Sequence, residues 1–249
     1  MSIVIFIFCL LYYNGDIFKI FFNLGFQGML VSLLLSITTF FYILSLSKTT
    51  VANALLLQGT APIWATIFAA IFLKEKINLL VFLTIIASIF GIFIIIKDNG
   101  NIGNIININN FWGNFFAIIT SFGLAFQILI VRKNPHLNLI PATIVGGLIA
   151  SFLSLFFKPT FFIPTKDLFI LFLLGTFQIG LGYILFYRGS KDLPASLSGI
   201  ITLIETFLGP IWVYLVFNEK ISRNTIIGGL IIIISLLLNF YFNKRFKFE

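Results

Sequence analysis

The chain has 249 residues, of which 59% are hydrophobic and only 10% charged, with a mean hydropathy of +1.10. A soluble domain carries roughly a quarter charged residues, so this sequence cannot cover a water-facing surface. The net charge of +8 sits on Lys and Arg placed singly or in pairs between apolar runs, the pattern of topology-setting charges and not of a nucleic-acid patch.

A bilayer is crossed by about 20 apolar residues in a helix or by a closed barrel of short alternating segments. The runs here are continuous, which predicts an all-α polytopic membrane protein embedded in the lipid bilayer. Nine apolar spans follow in order: 1–13, 24–47, 51–73, 78–96, 111–131, 138–157, 167–187, 193–217 and 224–242. The first is short and has neither a charged leader nor a small-residue cleavage site. It reads as a helix that begins upstream of this chain. The connections are short, so successive helices are expected to be antiparallel. The longest polar gap, "KDNGNIGNIININN" at 97–110, is Asn- and Gly-rich and reads as a linker between two halves.

The lone Cys9 excludes an intrachain disulfide and a multi-Cys metal site. The 33 Phe residues accompany abundant Ile, Asn and Lys. That composition fits a codon bias, so no aromatic pocket is read from it. Lys19, Lys74, Lys76, Arg132, Lys133, Arg188, Lys191, Lys244, Arg245 and Lys247 fall on one side of the membrane. Lys48, Lys97, Lys158, Lys166, Lys220 and Arg223 fall on the other. The positive-inside rule then puts the C-terminus in the cytoplasm, as expected for a bacterial-type inner-membrane protein.

Two segments repeat. "YILSLSKTTVANALLLQGTAPIWATIFAAIFLKEKIN" begins at 42 and "FYRGSKDLPASLSGIITLIETFLGPIWVYLVFNEKIS" at 186. Shifted by 144 positions, Glu75-Lys76-Ile77 falls on Glu219-Lys220-Ile221, Val51 on Ala195 and Pro62 on Thr206. An odd number of spans separates the copies, so equivalent loops face opposite sides. That is an inverted-topology repeat, a plan used by many secondary transporters.

These segments resemble the drug/metabolite transporter superfamily, specifically its EamA-type members, over about 24–243. The resemblance implies ten helices in two inverted five-helix halves that move metabolites, amino acids or drugs. The division expected here is a first repeat over 1–97, a linker over 98–110, a second repeat over 111–243 and a basic tail over 244–249. The second repeat has five spans and the first four, with 1–13 aligning to the family's second helix. The first family helix is therefore missing from this chain. The resemblance leaves two functions open: a small-molecule transporter, expected to export, or a non-transporting fragment or assembly partner with an incomplete cavity.

Glu205 stands halfway along its span. An ionised group at that depth costs about 2.5–3.5 kcal/mol or more, so an acid there faces a cavity or a polar partner. Two readings stand: a substrate or proton site, or a helix-packing hydrogen bond. The family often carries an acid at this place whatever its substrate. Proton coupling and ion-free exchange both stay open. Ser198, Thr202 and Glu205 share one helical face. Gln58, Thr60, Gln127, Gln178 and Tyr183 are the other mid-span polar groups, on helices that the resemblance makes cavity-lining. Trp64 is a packing or a substrate residue. Pro62 and Pro210 remove backbone donors inside helices and are kinks or hinges. No phosphate-binding glycine loop and no catalytic motif is present, so neither an enzyme nor a cofactor is expected. The sequence leaves the oligomeric state open.

Overall fold

The apolar runs fold as helices because a backbone in hydrocarbon must satisfy its own N–H and C=O groups. The computed structural model describes Phe6 and residues 24–49, 51–75, 79–98, 111–157, 164–202, 204, 208 and 223–242. The expected first span, the interior of the linker, Glu205, Pro210 and the basic tail lie outside them. Among the described residues the structure is helical, without strands. In chain order the helices are α1 Gly25–Lys48, α2 Val51–Gln58, α3 Ala61–Phe72, α4 Leu79–Asp98, α5 Phe111–Lys133 and α6 Ile140–Ser154. They continue with α7 Thr165–Leu173, α8 Gly182–Ser190, α9 Ala195–Thr202 and α10 Arg223–Phe242.

Where the described residues cover them the expected spans are helical, with two departures; the first span and much of the span over 193–217 lie outside the described residues. The span expected over 51–73 is divided at Gly59-Thr60 into α2 and α3. The span expected over 167–187 contains a π-helical stretch, Leu174–Leu181, between α7 and α8. Under the 144-residue shift, helical residues fall on helical residues: Val51–Gln58 on Ala195–Thr202 and Leu79–Asp98 on Arg223–Phe242.

The contacts divide the chain into two units, each drawing on residues from before and after the linker. One comprises Met1–Phe40 and Ile130–Asp192, the other Phe41–Leu129 and Leu193–Glu249. In the first, Val31, Leu35, Val131, Ala142 and Tyr187 form a buried core, with Tyr183 and Phe186 packed against it. In the second, α4 lies along α10, and α3 along α9. The α4–α10 crossing is close because Gly91 has no side chain: a Cβ there would come within 2.6 Å of the Gly228 carbonyl oxygen. Small residues let membrane helices approach to backbone distance, where dispersion and hydrogen bonds act. Two polar pairs reinforce the crossing, Asn239 Nδ2–H donating to Thr84 Oγ1 at 2.8 Å and Ser88 with Ser235 at 3.3 Å.

Candidate functional site

The break between α2 and α3 follows from "QGTAPIW" at 58–64. Pro62 is near the first position of α3 and has no N–H. The carbonyl of Gln58, four residues earlier, therefore loses its helical donor. Thr60 caps α3, but its hydroxyl does not bond into that helix. It turns instead to the Leu57 carbonyl at 2.6 Å and to the Ser121 hydroxyl of α5 at 2.8 Å. Gly199 of α9 seats directly on the break: a Cβ there would meet Pro62 Cα at 2.9 Å and Ala65 Cβ at 3.3 Å.

Most hydroxyls in the described helices close on their own backbone. Those of Ser32, Thr38, Thr66, Thr84, Thr120 and Thr143 each donate to a carbonyl three or four residues earlier. Such groups are satisfied within one helix and need nothing further. Three atoms behave differently: Gln58 Oε1, Trp64 Nε1 and Ser198 Oγ are buried and have no hydrogen-bond partner among the described residues. All three belong to the unit that contains the break. Leaving a buried donor or acceptor unsatisfied costs about 1–3 kcal/mol, and such groups in native proteins call for a specific explanation.

The same region carries an aromatic wall. The Trp64 ring stacks on Phe122 with centroids 4.0 Å apart, and Phe68 meets Phe126 at 4.4 Å. An indole N–H donor, an amide acceptor and a hydroxyl therefore occur in one unit with stacked rings, and none of them is charged. Among the described residues no three His, Cys, Asp or Glu side chains gather as metal ligands.

The structure places the residues singled out from sequence unevenly. Gln58, Thr60, Trp64, Ser198, Thr202 and Gln127 fall in one unit. Of these, Thr202 closes on the Gly199 carbonyl at 2.6 Å. Gln127 is fully buried and is not one of the unpartnered groups. Tyr183 and Gln178 fall in the other unit. Tyr183 packs beside Phe186 and Tyr187, and Gln178 lies exposed in the π-helical stretch. Glu205 and Pro210 lie outside the described residues. Sequence reasoning missed Ser121 and Phe122. The signal was available in the spacing, since Trp64, Phe68 and Phe72 recur every four residues, as do Phe122 and Phe126. That spacing puts the rings on one face of each helix.

Long apolar helices, a helix broken within its expected span and buried unpartnered polar atoms together define a polytopic integral membrane protein. The chain belongs to the EamA-like transporter family, whose model matches residues 1–97 and 111–241. It is similar to an uncharacterized transporter of Clostridium kluyveri, with 25% identity over 237 residues, 90% of this chain and 74% of that protein. An uncharacterized transporter of Methanothermobacter thermautotrophicus is 22% identical over 223 residues, 87% of this chain and 65% of that protein. A crystal structure superposes with a TM-score of 0.74 over 99% of this chain and 98% of the other, at 13% identity. That likeness concerns the fold.

Proposed function

We propose that the protein is a secondary transporter that exports a small organic solute, such as an amino acid, by alternating access. It is not an enzyme in this reading. The observation that carries the proposal is the trio of buried, unpartnered atoms on Gln58, Trp64 and Ser198 in the unit with the broken helix. Discontinuous helices form substrate sites in other inverted-repeat transporters because the break frees backbone and side-chain groups at depth. Uncharged donors and acceptors beside aromatic rings suit a neutral or zwitterionic solute. Thr60, Thr202 and Gln127 complete the lining in this reading; Tyr183, Gln178 and Glu205 are further substrate residues that the family resemblance implies.

The halves 1–97 and 111–243 would be the inverted repeats that alternate, with Pro62 and Pro210 as hinges. Glu205 is the group that would couple transport to protons. The C-terminus would face the cytoplasm across the inner membrane, as the loop charges indicate.

Counterflow in proteoliposomes tests the proposal: solute trapped inside should accelerate uptake of the same labelled solute. Trp64→Phe keeps the ring and removes only the N–H, and Ser198→Ala removes only the hydroxyl. Each should raise the half-saturating solute concentration roughly tenfold, about 1.4 kcal/mol of a polar contact. Insertion and melting should not change. Absence of counterflow for a broad amino-acid panel with folded protein would overturn the reading. So would unchanged half-saturation in both variants.

A further inference from the structure

A concavity lies in the unit of Met1–Phe40 and Ile130–Asp192, which also holds Tyr183 and Gln178. It encloses about 220 Å³ where the loop between α5 and α6 meets the end of α8. Its floor is apolar, made by Leu139, Ile140 and Ile184, with Tyr187 beside them. Its rim is polar and cationic, made by Asn138, Arg188 and Lys191.

Both sides of the rim are pinned. Lys191 Nζ donates to the Leu137 carbonyl at 2.7 Å, and the Arg132 guanidinium donates to the Lys191 carbonyl at 2.9 Å. The Asn138 carboxamide oxygen accepts the Ile140 N–H at 3.2 Å. These bonds hold the loop against the helix end without using the Arg188 side chain. Among the described residues Arg188 makes no hydrogen bond or ion pair. An ammonium has three N–H donors, so Lys191 keeps donors beyond its Leu137 bond. One carboxylate, Asp192, follows Lys191 in sequence and offsets part of the charge. Burial pulls the Lys191 ammonium below its usual range, and the Arg188 charge adds to this. An anion seated between the two cations would offset their mutual repulsion.

The location narrows the anion. The pocket sits at the end of Asp167–Ser190, 24 residues long and apolar enough to cross a membrane. The end of such a span lies at headgroup level, where Arg, Lys and Tyr concentrate and phosphate is the abundant anion. The guanidinium and ammonium at the opening suit an anionic group. Arg pairs with phosphate through two parallel N–H bonds.

We propose that this pocket binds a phosphate oxyanion, carried on a lipid headgroup or free in solution, with Arg188 as its main contact and Lys191 as the second. The site is independent of the transport reading and would stand if that reading failed.

The test uses the full chain in detergent, titrated with dioctanoyl phosphatidylglycerol, with dioctanoylglycerol as the phosphate-free control, and with inorganic phosphate. Saturable binding of the phospholipid and none of the control is expected. Arg188→Gln should weaken it roughly tenfold, the loss of one charge-assisted pair, and Arg188→Lys should recover part of it. Lys133→Gln, exposed and outside the pocket, should leave it unchanged. Inorganic phosphate binding with the same Arg188 dependence would identify a soluble ligand; binding of the phospholipid alone would identify a lipid. Equal binding of the control overturns the proposal. Equal losses in Arg188→Gln and Lys133→Gln do so too, as does no saturable binding of either phosphate probe.

Discussion

Both units join helices at backbone distance, the unit of Met1–Phe40 and Ile130–Asp192 through Gly146 against the Ser32 carbonyl, but they differ in how deeply they bury their long apolar helices. In the unit of Phe41–Leu129 and Leu193–Glu249, helices meet at backbone distance through Gly91 and Gly199, and polar pairs bridge them. In the unit of Met1–Phe40 and Ile130–Asp192, the apolar window of Asp167–Ser190 is only 6% buried, against 56% for Phe111–Lys133. Water would not tolerate the exposed Leu168, Phe169, Phe172 and Phe177. Lipid does, because its tails are as apolar as the side chains and no hydrophobic force drives helices together. What holds a membrane helix to its neighbour is then local: a glycine, a hydroxyl, an amide. The unpartnered polar atoms among the described residues fall in the unit of Phe41–Leu129 and Leu193–Glu249.

The sharpest way to break this contrast is to overfill the close crossing. Gly91→Leu drives a side chain into the Gly228 carbonyl and Ile232. It should destabilise the protein by about 3 kcal/mol, read as a lower melting temperature or lost monodispersity in detergent. Wild-type melting would refute the crossing as drawn. Next in size is Asn239→Leu, which removes the bond to Thr84 at 1% exposure. A loss of about 1 kcal/mol is expected, in the range of interhelical hydrogen bonds in membranes; equal stability would mean that the amide contributes nothing net.

The opposite sign is expected in the other unit. Gly182 has nothing within 4 Å of an added Cβ. Gly182→Ala should therefore be neutral or stabilising by roughly 0.5–1 kcal/mol, the helix-interior preference for Ala over Gly. A clear loss would show that this glycine serves the adjoining π-helical stretch. The smallest effect concerns pH. Burial lowers the Lys191 pKa from 10.5 in the folded chain. Below that lowered value the penalty for burying the charge is fully present. Between it and 10.5 the unfolded chain binds more protons, so stability rises with pH. Wild type should gain on Lys191→Met in melting temperature over that interval, and a constant difference would remove Lys191 as a source of pH dependence.

The helix ends illustrate how much was legible beforehand. Gly25–Lys48 lies within one residue of the expected span at each end, and Phe111–Lys133 ends two residues past its expected limit, because apolar length and flanking charge fix where a chain leaves lipid. The interruptions were less legible. Pro62 signalled a disturbed helix, but the division at Gly59-Thr60 depends on Ser121 accepting or donating across to Thr60 and on Gly199 packing against the proline. The π-helical turn at Leu174–Leu181 has no local mark beyond its two glycines.

The candidate site divides the same way. Gln58, Trp64 and Ser198 were recognisable as polar groups at depth. Thr202 looked equivalent to them, yet its hydroxyl closes on its own helix. Hydropathy and charge order determined the class of protein, the spans and the repeat, since transfer from water to lipid is a property of each residue and nearly additive along the chain. Which polar atoms are spent on the backbone and which are left over was decided only by the tertiary structure, because a hydrogen bond depends on where its partner is and sequence spacing does not supply that.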